Sequence, residues 1–421
     1  MTTTVVGSFV RTLRCVSCKK EFDVRRLIYT CDKCGEKLDV VYDYDAIGRT
    51  LRKTDLEERR GTACLKYHEM LPIFDIKKVP SLGEGGTPLI QCRRLGEELG
   101  LRELYGKDET RNPTGVFKDR ATIMAVNKAL EFDRKVVAIA STGNAAASMA
   151  AHAAKAGLHC VVFVPETTPI GKLSQSIAYG AKVIQVRGNY DEAYDLANDA
   201  SQTFDWYNCN PATNPFRAEG KKTTAYELCE QFNWEPPDWV IVPIGNGCNL
   251  AGVWKGFKEF YQLGFISKKP RMIGIQPTGS SPVVSAYKKN STSFEPVTPK
   301  TLAGALAVGK PRNYIKAFNS LRESNGVAES VTDDEILEAQ SLLASKEGIF
   351  AEPGGAAPVA GVIKLIGTGV IGRHDKVCCV ITGNGLKDPE AALRKGLKPS
   401  LIEPTLEALR PIALNKSWTP M

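Results

Sequence analysis

Six short runs rich in β-branched residues are spaced along this chain: VVAIA (136–140), CVVFV (160–164), KVIQV (182–186), WVIVPI (239–244), MIGIQ (272–276) and KVCCVI (376–381). Most are followed by helical stretches, among them DRATIMAVNKALEF, AAASMAAHAAKAG and DDEILEAQSLLASKEG. Strands that are continuously apolar must be covered on both faces, and alternation with helices supplies that cover. The pattern therefore predicts an α/β fold built on mostly parallel sheets. A chain of 421 residues can bury a large core and divides into two or three domains. We see no internal repeat and no low-complexity tract. Residues 290–300 read as an exposed loop, and the Pro-punctuated tail after Pro399 as a surface segment.

The composition narrows the function classes. A net charge of +8 against 55 basic and 47 acidic residues is modest and forms no basic stripe, so nucleic acid is not an expected partner. The basic pairs Arg25-Arg26, Lys221-Lys222 and Lys268-Lys269 read as solvated faces. The opening MTTTVVGSFVRTLRC has no basic region followed by a long apolar run, and no uncharged apolar stretch is long enough to span a bilayer. With twelve cysteines and no secretion signal, a reducing cytoplasm and no membrane association are expected.

Four of the cysteines are not scattered. Cys15-Val16-Ser17-Cys18 and Cys31-Asp32-Lys33-Cys34 form two Cys-x-x-Cys knuckles, the arrangement a closed four-thiolate zinc site requires. We expect Cys15, Cys18, Cys31 and Cys34 to bind structural Zn²⁺; four reduced thiols in a ribbon without metal is the other reading. The stretch DVVYDYDAIGRT then reads as a strand leading into a connector.

Ligands of open α/β sheets sit beyond the carboxyl ends of the strands. Three such ends carry small, polar, glycine-bearing turns: Ser141-Thr142-Gly143-Asn144, Gly245-Asn246-Gly247-Cys248-Asn249 and Thr382-Gly383-Asn384-Gly385. The second can form an anion nest at a helix start, suited to a phosphate, or a plain tight turn; it matches neither the dinucleotide nor the Walker pattern. The first can hold a carboxylate or act as an ordinary helix cap. In RNPTGVFKDRA (111–121), Lys118 stands directly behind a turn and an aromatic, a setting for an amine held in place and partly desolvated. No His-Glu-x-x-His and no Gly-x-Ser-x-Gly occurs, and His152, in an alanine-rich stretch, reads as packed. A reactive lysine, a phosphate nest and polar donors at strand ends together suit pyridoxal 5'-phosphate.

In this order, NPTGVFKDR, STGN, VPIGNGCN and TGNGLKDP resemble the fold-type II pyridoxal-phosphate enzymes, and most closely the threonine synthase family. The resemblance also takes in SLGEGGTPL, KYHEMLPIF, NPFRAEGKKT and the cysteine ribbon. It implies a tryptophan synthase β-like architecture: a zinc-ribbon module (1–50), a large domain (51–109 and 216–421) and a smaller mobile domain (110–215), in a homodimer. It implies that Lys118 forms the Schiff base with the cofactor and shuttles protons. Asn144 would hydrogen-bond the ring hydroxyl, Gly245, Asn246, Gly247, Cys248 and Asn249 would hold the cofactor phosphate, and Thr382 would meet the pyridine nitrogen. Ser141, Thr142 and Gly143 would receive the substrate carboxylate, and Arg217, with Lys221 or Lys222, the substrate phosphate. The implied reaction converts O-phosphohomoserine and water to threonine and phosphate.

The chain departs from that family where Val116 stands for a serine, Ala121 for a glycine, Ala145 for a threonine and Ala212 for a serine. These departures are expected to cluster around the substrate. They keep open a cysteate synthase-like replacement of O-phosphoserine's phosphate by sulfite, and a threonine dehydratase-like lyase. A non-catalytic zinc-ribbon binding protein is the reading from a different class.

Overall fold

The computed structural model describes residues 8–60, 64–394 and 399–414. The first seven residues of the opening, where no secretion signal is expected, and the last seven of the Pro-punctuated tail lie outside them. Among the described residues the strands are β1 (Val10–Cys15), β2 (Glu21–Phe22), β3 (Leu38–Tyr42), β4 (Leu89–Gln91), β5 (Glu103–Asp108), β6 (Val136–Ala140), β7 (His159–Pro165), β8 (Lys182–Val186), β9 (Tyr207–Asn208), β10 (Trp239–Pro243), β11 (Arg271–Pro277), β12 (Val327–Val331) and β13 (Lys376–Ile381). They form three sheets. A small antiparallel one has the order β2-β1-β3, a six-stranded one β12-β11-β10-β13-β5-β4, and a four-stranded one β8-β7-β6-β9. The four-stranded sheet is parallel throughout, and the six-stranded one is parallel except for its edge strand β4.

The six β-branched runs are β6, β7, β8, β10, β11 and β13, and their apolarity has the predicted cause. In the four-stranded sheet Val137, Ile139, Val162 and Val164 enter one core while Ala138, Ala140, Val161 and Phe163 enter another on the opposite face. Successive side chains of a strand point to opposite faces, so burying both faces demands an unbroken apolar run. β5 escapes the pattern although it lies inside the sheet, because it carries Lys107. That side chain is fully buried, and its amine lies 2.6 Å from a Glu227 carboxylate oxygen. A buried charge is tolerated when a partner neutralises it, and the partner is 120 residues away in sequence.

The ribbon is not an appendage. Leu13, Phe22, Leu38, Val40 and Tyr42 share one core with Phe216, Tyr226, Phe257 and Phe260 of the chain's second half. Tyr42 donates to Glu219 Oε2 at 2.8 Å, and Lys255 Nζ donates to the Val40 carbonyl at 2.6 Å. The segment after β3, read as a connector, is instead the helix Tyr44–Thr50, capped by the Asp43 carboxylate, which accepts from Ala46 N. Residues 290–300 are without regular structure and mostly exposed, and the described tail after Pro399 is exposed around one short helix, Leu406–Ala413.

Candidate active site

Lys118 opens the helix Lys118–Glu131, and the residues before it explain why the helix begins there. Gly115 has φ +76°, a left-handed conformation that turns the chain at low cost. Asp119 then locks the turn to the helix: its carboxylate accepts from Thr114 N at 2.7 Å and from Thr114 Oγ1 at 2.6 Å. On the other side Phe117 N donates to the Thr382 carbonyl at 2.9 Å, and Asn384 N to the Gly115 carbonyl at 2.9 Å. The lysine turn and the Thr382 turn are thus one hydrogen-bonded unit.

Beneath it, Arg120 is fully buried. Its guanidinium reaches Glu109 at 2.7 Å and Glu227 at 2.6 Å, anchoring the first turn of the helix to the large sheet. Such a network is retained only when every charge is satisfied, and here Thr87, Thr223 and Lys107 complete it.

The other two turns also lie at strand ends. After β6, Ser141 to Asn144 are half-buried, and the Gly143 carbonyl accepts from Ala146 N and Ala147 N as the helix Asn144–Ala156 starts. After β10, Gly247 has φ +88°, and a Cβ there would lie 2.9 Å from both Ala317 Cβ and the Asn313 carbonyl. Asn246 fixes the nest by accepting from Asn313 N and Arg312 N, both at 3.1 Å. Asn249 Nδ2, in the first turn of the helix Cys248–Gln262, is buried with no hydrogen-bond partner.

A cleft of about 490 Å³, counting its mouth open to solvent, is lined by Lys118, Ala145, Ala212, Arg217, Lys221 and Cys248; Ser141 to Asn144, Gly245 to Gly247, Asn249 and Thr382 are not among its lining residues. Its charge is one-sided. Burial, together with the positive charges of Lys221 and Arg217, lowers the Lys118 amine to about 7. Arg217 donates to the Cys209 carbonyl at 2.6 Å, and burial lowers it also. Lys221 packs 5.8 Å from the Phe117 ring centre, and among the described residues no carboxylate pairs with it or with Arg217.

The pair Lys221-Lys222 is therefore no solvated face. Lys222 is fully buried and turned away from the cleft, with its amine 2.8 Å from Glu219, 3.1 Å from Glu259 and 3.9 Å from the Tyr42 ring centre. Of the two lysines, Lys221 alone faces the candidate site. The four departures divide in the same way. Ala145 and Ala212 line the cleft, but Val116 and Ala121 are fully buried. Ala121 sits where two helices meet so closely that a Cβ on Gly220 would fall 1.6 Å from the Arg120 carbonyl. Packing, not substrate, surrounds it.

His152 is packed, as read from the sequence, but it is not alone: its Nε2 lies 2.8 Å from Glu84 Oε1, and both side chains are fully buried. Sequence reasoning missed Glu352, whose carboxylate accepts from the Asn144 amide nitrogen with both oxygens. The only local signal is its place before Pro353, where a helix starts. It also missed Lys37 of the ribbon, which lines the cleft.

The four ribbon cysteines converge. Cys15 Sγ lies 3.4 Å from Cys34 Sγ, Cys18 Sγ lies 3.5 Å from Cys31 Sγ, and all four sulfurs fall within 4.8 Å of one another. Sulfurs at the corners of a tetrahedron around a metal at about 2.3 Å would be roughly 3.8 Å apart. The cluster has the size of such a site.

The family described as pyridoxal-phosphate dependent enzyme matches residues 80–383. The chain is 47% identical over 401 residues to a threonine synthase of Methanocaldococcus jannaschii, covering 95% of this chain and 98% of that one. It is 42% identical over 410 residues to a threonine synthase of Methanosarcina acetivorans, covering 96% and 99%. Among solved structures, the processed threonine deaminase isoform 2 of Solanum lycopersicum superposes with a TM-score of 0.63 at 22% identity, over 76% of this chain and 90% of the other. A maize serine racemase superposes at 0.62 and 21%, over 71% and 88%. At these identities the structural likeness speaks for the fold.

Proposed function

Because the chain belongs to the threonine synthase family of pyridoxal-phosphate-dependent enzymes, we propose that it converts O-phosphohomoserine and water to threonine and phosphate in the cleft around Lys118. The observation that carries this reading is the company of that lysine: an amine lowered to about 7, beside Arg217 and Lys221, which no carboxylate among the described residues neutralises. An amine that is neutral near physiological pH can attack a carbonyl, and two unpaired cations suit a dianionic phosphate.

The residues fit the cofactor. Gly245 to Asn249 form a cradle at a helix start that side chains at the glycines would obstruct, and the unpartnered Asn249 amide is a donor without an acceptor. We assign the cofactor phosphate to this cradle, the pyridine nitrogen to the Thr382 hydroxyl and the ring hydroxyl to Asn144. Held at Lys118, the cofactor supplies an electron-withdrawing ring that stabilises negative charge on the substrate carbon next to the amino group.

The remaining work falls to side chains of this chain. Ser141, Thr142 and Gly143 receive the α-carboxylate with hydroxyls and main-chain N–H groups. Arg217 and Lys221 grip the phosphate and stabilise the negative charge it keeps as the Cγ–O bond breaks. The Lys118 amine takes a proton from Cα and then one from Cβ, delivers one to Cγ once phosphate has left so that this carbon becomes the methyl group, and returns one to Cα when water has added at Cβ. Within residues 110–215, the part that carries the four-stranded sheet moves as a smaller domain, while the Lys118 turn stays with the large domain to which Arg120 anchors it; closing keeps water out until phosphate has left. Two contacts tie the middle segment to the large domain: Arg312 Nη2 donates to Asp191 at 2.6 Å, and Asn144 donates to Glu352.

Zn²⁺ at Cys15, Cys18, Cys31 and Cys34 belongs to the same reading, as does a cytoplasmic homodimer that binds no nucleic acid. No helix among the described residues is long and apolar enough to cross a membrane.

The test is phosphate release by the purified holoenzyme, given O-phosphohomoserine and, in parallel, O-phosphoserine with and without sulfite. Threonine and phosphate in equal amounts from the first substrate is the expected result. Cysteate from the second, with no turnover of the first, would overturn the assignment.

A further inference from the structure

The ribbon's strand β3 runs along the edge of the cleft. Lys37 and Leu38 line it together with Lys118, Arg217 and Lys221, and Lys37 also borders a smaller adjoining hollow with Arg312 and Lys316. The two ribbon-side lysines are held differently. Lys316 Nζ donates to the Leu38 carbonyl at 2.9 Å and pairs with the Asp39 carboxylate. Lys37 is half-buried, yet among the described residues its amine makes no hydrogen bond and no ion pair. Burial lowers its affinity for a proton; Glu36 works the other way without pairing with it, and the nearby Arg312 and Lys316 add to the lowering.

An unpaired ammonium set among other cations is unfavourable unless an anion completes the group. The cofactor phosphate has its own cradle at Gly245 to Asn249, so the anion missing from this edge is a second one. We propose that Lys37 is a substrate-phosphate residue, so that the cysteine ribbon forms one wall of the substrate site as well as packing on the large domain.

The four-cysteine cluster sets where this lysine stands. The Lys37 carbonyl accepts from Val16 N at 3.0 Å, and Val16 lies inside the first Cys-x-x-Cys knuckle. The Glu36 carbonyl accepts from Cys31 N at 2.8 Å, and Leu38 pairs with Cys15 across the sheet. Both knuckles thus bond to the three residues that present the amine. The ribbon is fixed to the large domain by Lys255 on Val40 and Lys316 on Leu38, which holds the amine at the cleft mouth. A wall that arrives from a separate module gives the phosphate pocket a third cation that the main sheets do not supply.

The inference rests on the proposed binding of a phosphorylated amino acid in this cleft. It is tested on the full-length holoenzyme by titrating inorganic phosphate calorimetrically against the parent, Lys37→Met and Lys37→Arg. The same three proteins are assayed for cofactor affinity, zinc content and KM with O-phosphohomoserine. Loss of one hydrogen bond to a charged group predicts that Lys37→Met weakens phosphate binding by about tenfold or more and raises KM in step. Cofactor affinity and zinc content stay at the parent's values, and Lys37→Arg recovers most of the binding. Where the methionine variant does not fold, Lys37→Gln takes its place. Phosphate binding equal to the parent's would overturn the proposal, as would weakening that appears only with loss of cofactor or zinc. The titration needs no turnover, so a protein inert toward O-phosphohomoserine would remove the proposed reaction and leave the result for Lys37 to be read on its own.

Discussion

The Asn144 amide nitrogen donates to both oxygens of one carboxylate, with Nδ2 2.8 Å from Glu352 Oε1 and 2.9 Å from Glu352 Oε2. The two residues begin helices on different sheets, and Glu352 is itself tied down, its N–H donating to the Gly383 carbonyl at 2.9 Å. Glu352 thus orients the amide assigned to the cofactor ring and joins it to the Thr382 turn. Burial raises the carboxyl of Glu352 above its ordinary value, although the bond from Asn144 works the other way.

Glu352→Ala leaves the Asn144 amide without its acceptor. We expect the cofactor's visible absorption band to shift and cofactor affinity to fall by about tenfold, the worth of a hydrogen bond to a charged group. Glu352→Gln, which can still accept one bond, falls in between. Absorbance titration of cofactor-free protein checks both variants, and identical curves for all three proteins would deny Glu352 a positioning role.

Lys118 carries a pH prediction. Only the neutral amine attacks the cofactor aldehyde, and Lys118 loses its proton around pH 7 instead of near the ordinary lysine value of 10.5. The rate at which cofactor-free protein captures the cofactor should therefore rise as pH increases through about 7 and level off above it. Stopped-flow absorbance between about pH 6 and 10 measures this. A rate still climbing at the top of that range would mean that the amine is not lowered.

Lys221 and Lys222 are neighbours with opposite consequences. Lys222→Met removes the cation between buried Glu219 and Glu259; Glu219 keeps Lys255 at 2.7 Å, but Glu259 loses its ion-pair partner, and stranding a buried charge in this way costs about 3–5 kcal/mol. Thermal unfolding should drop by many degrees. Lys221→Met removes a cation that has no carboxylate partner among the described residues, so unfolding should hardly change while KM for the phosphorylated substrate rises by about tenfold or more. Calorimetry and steady-state kinetics on the two variants separate the roles. Equal losses of stability would contradict the division.

Much of this site was legible in the sequence because its parts are local. Lys118 after Asn-Pro-Thr-Gly, Asn144 after Ser-Thr-Gly, and the Gly245 to Asn249 turn each need only a strand, a glycine and a helix start, and a short stretch of chain specifies those. The parallel sheets were legible for a related reason, since burial on both faces leaves a continuous apolar run. β5 was not, because its Lys107 is neutralised by Glu227, and nothing near either residue announces the other.

The sequence by itself determined the sheet-forming runs, the lysine, the Gly245 to Asn249 turn and the four-cysteine ribbon, all set by patterns within one or two turns of chain. Tertiary structure alone decided that Lys221 faces the cleft while Lys222 neutralises buried glutamates, that Val116 and Ala121 serve packing, and that Glu352 holds Asn144. It also decided that Lys37 reaches the cleft from the ribbon. The physical reason is common to all of these: desolvation and charge pairing depend on groups brought together from distant parts of the chain, and their sign is settled only when the partner is in place.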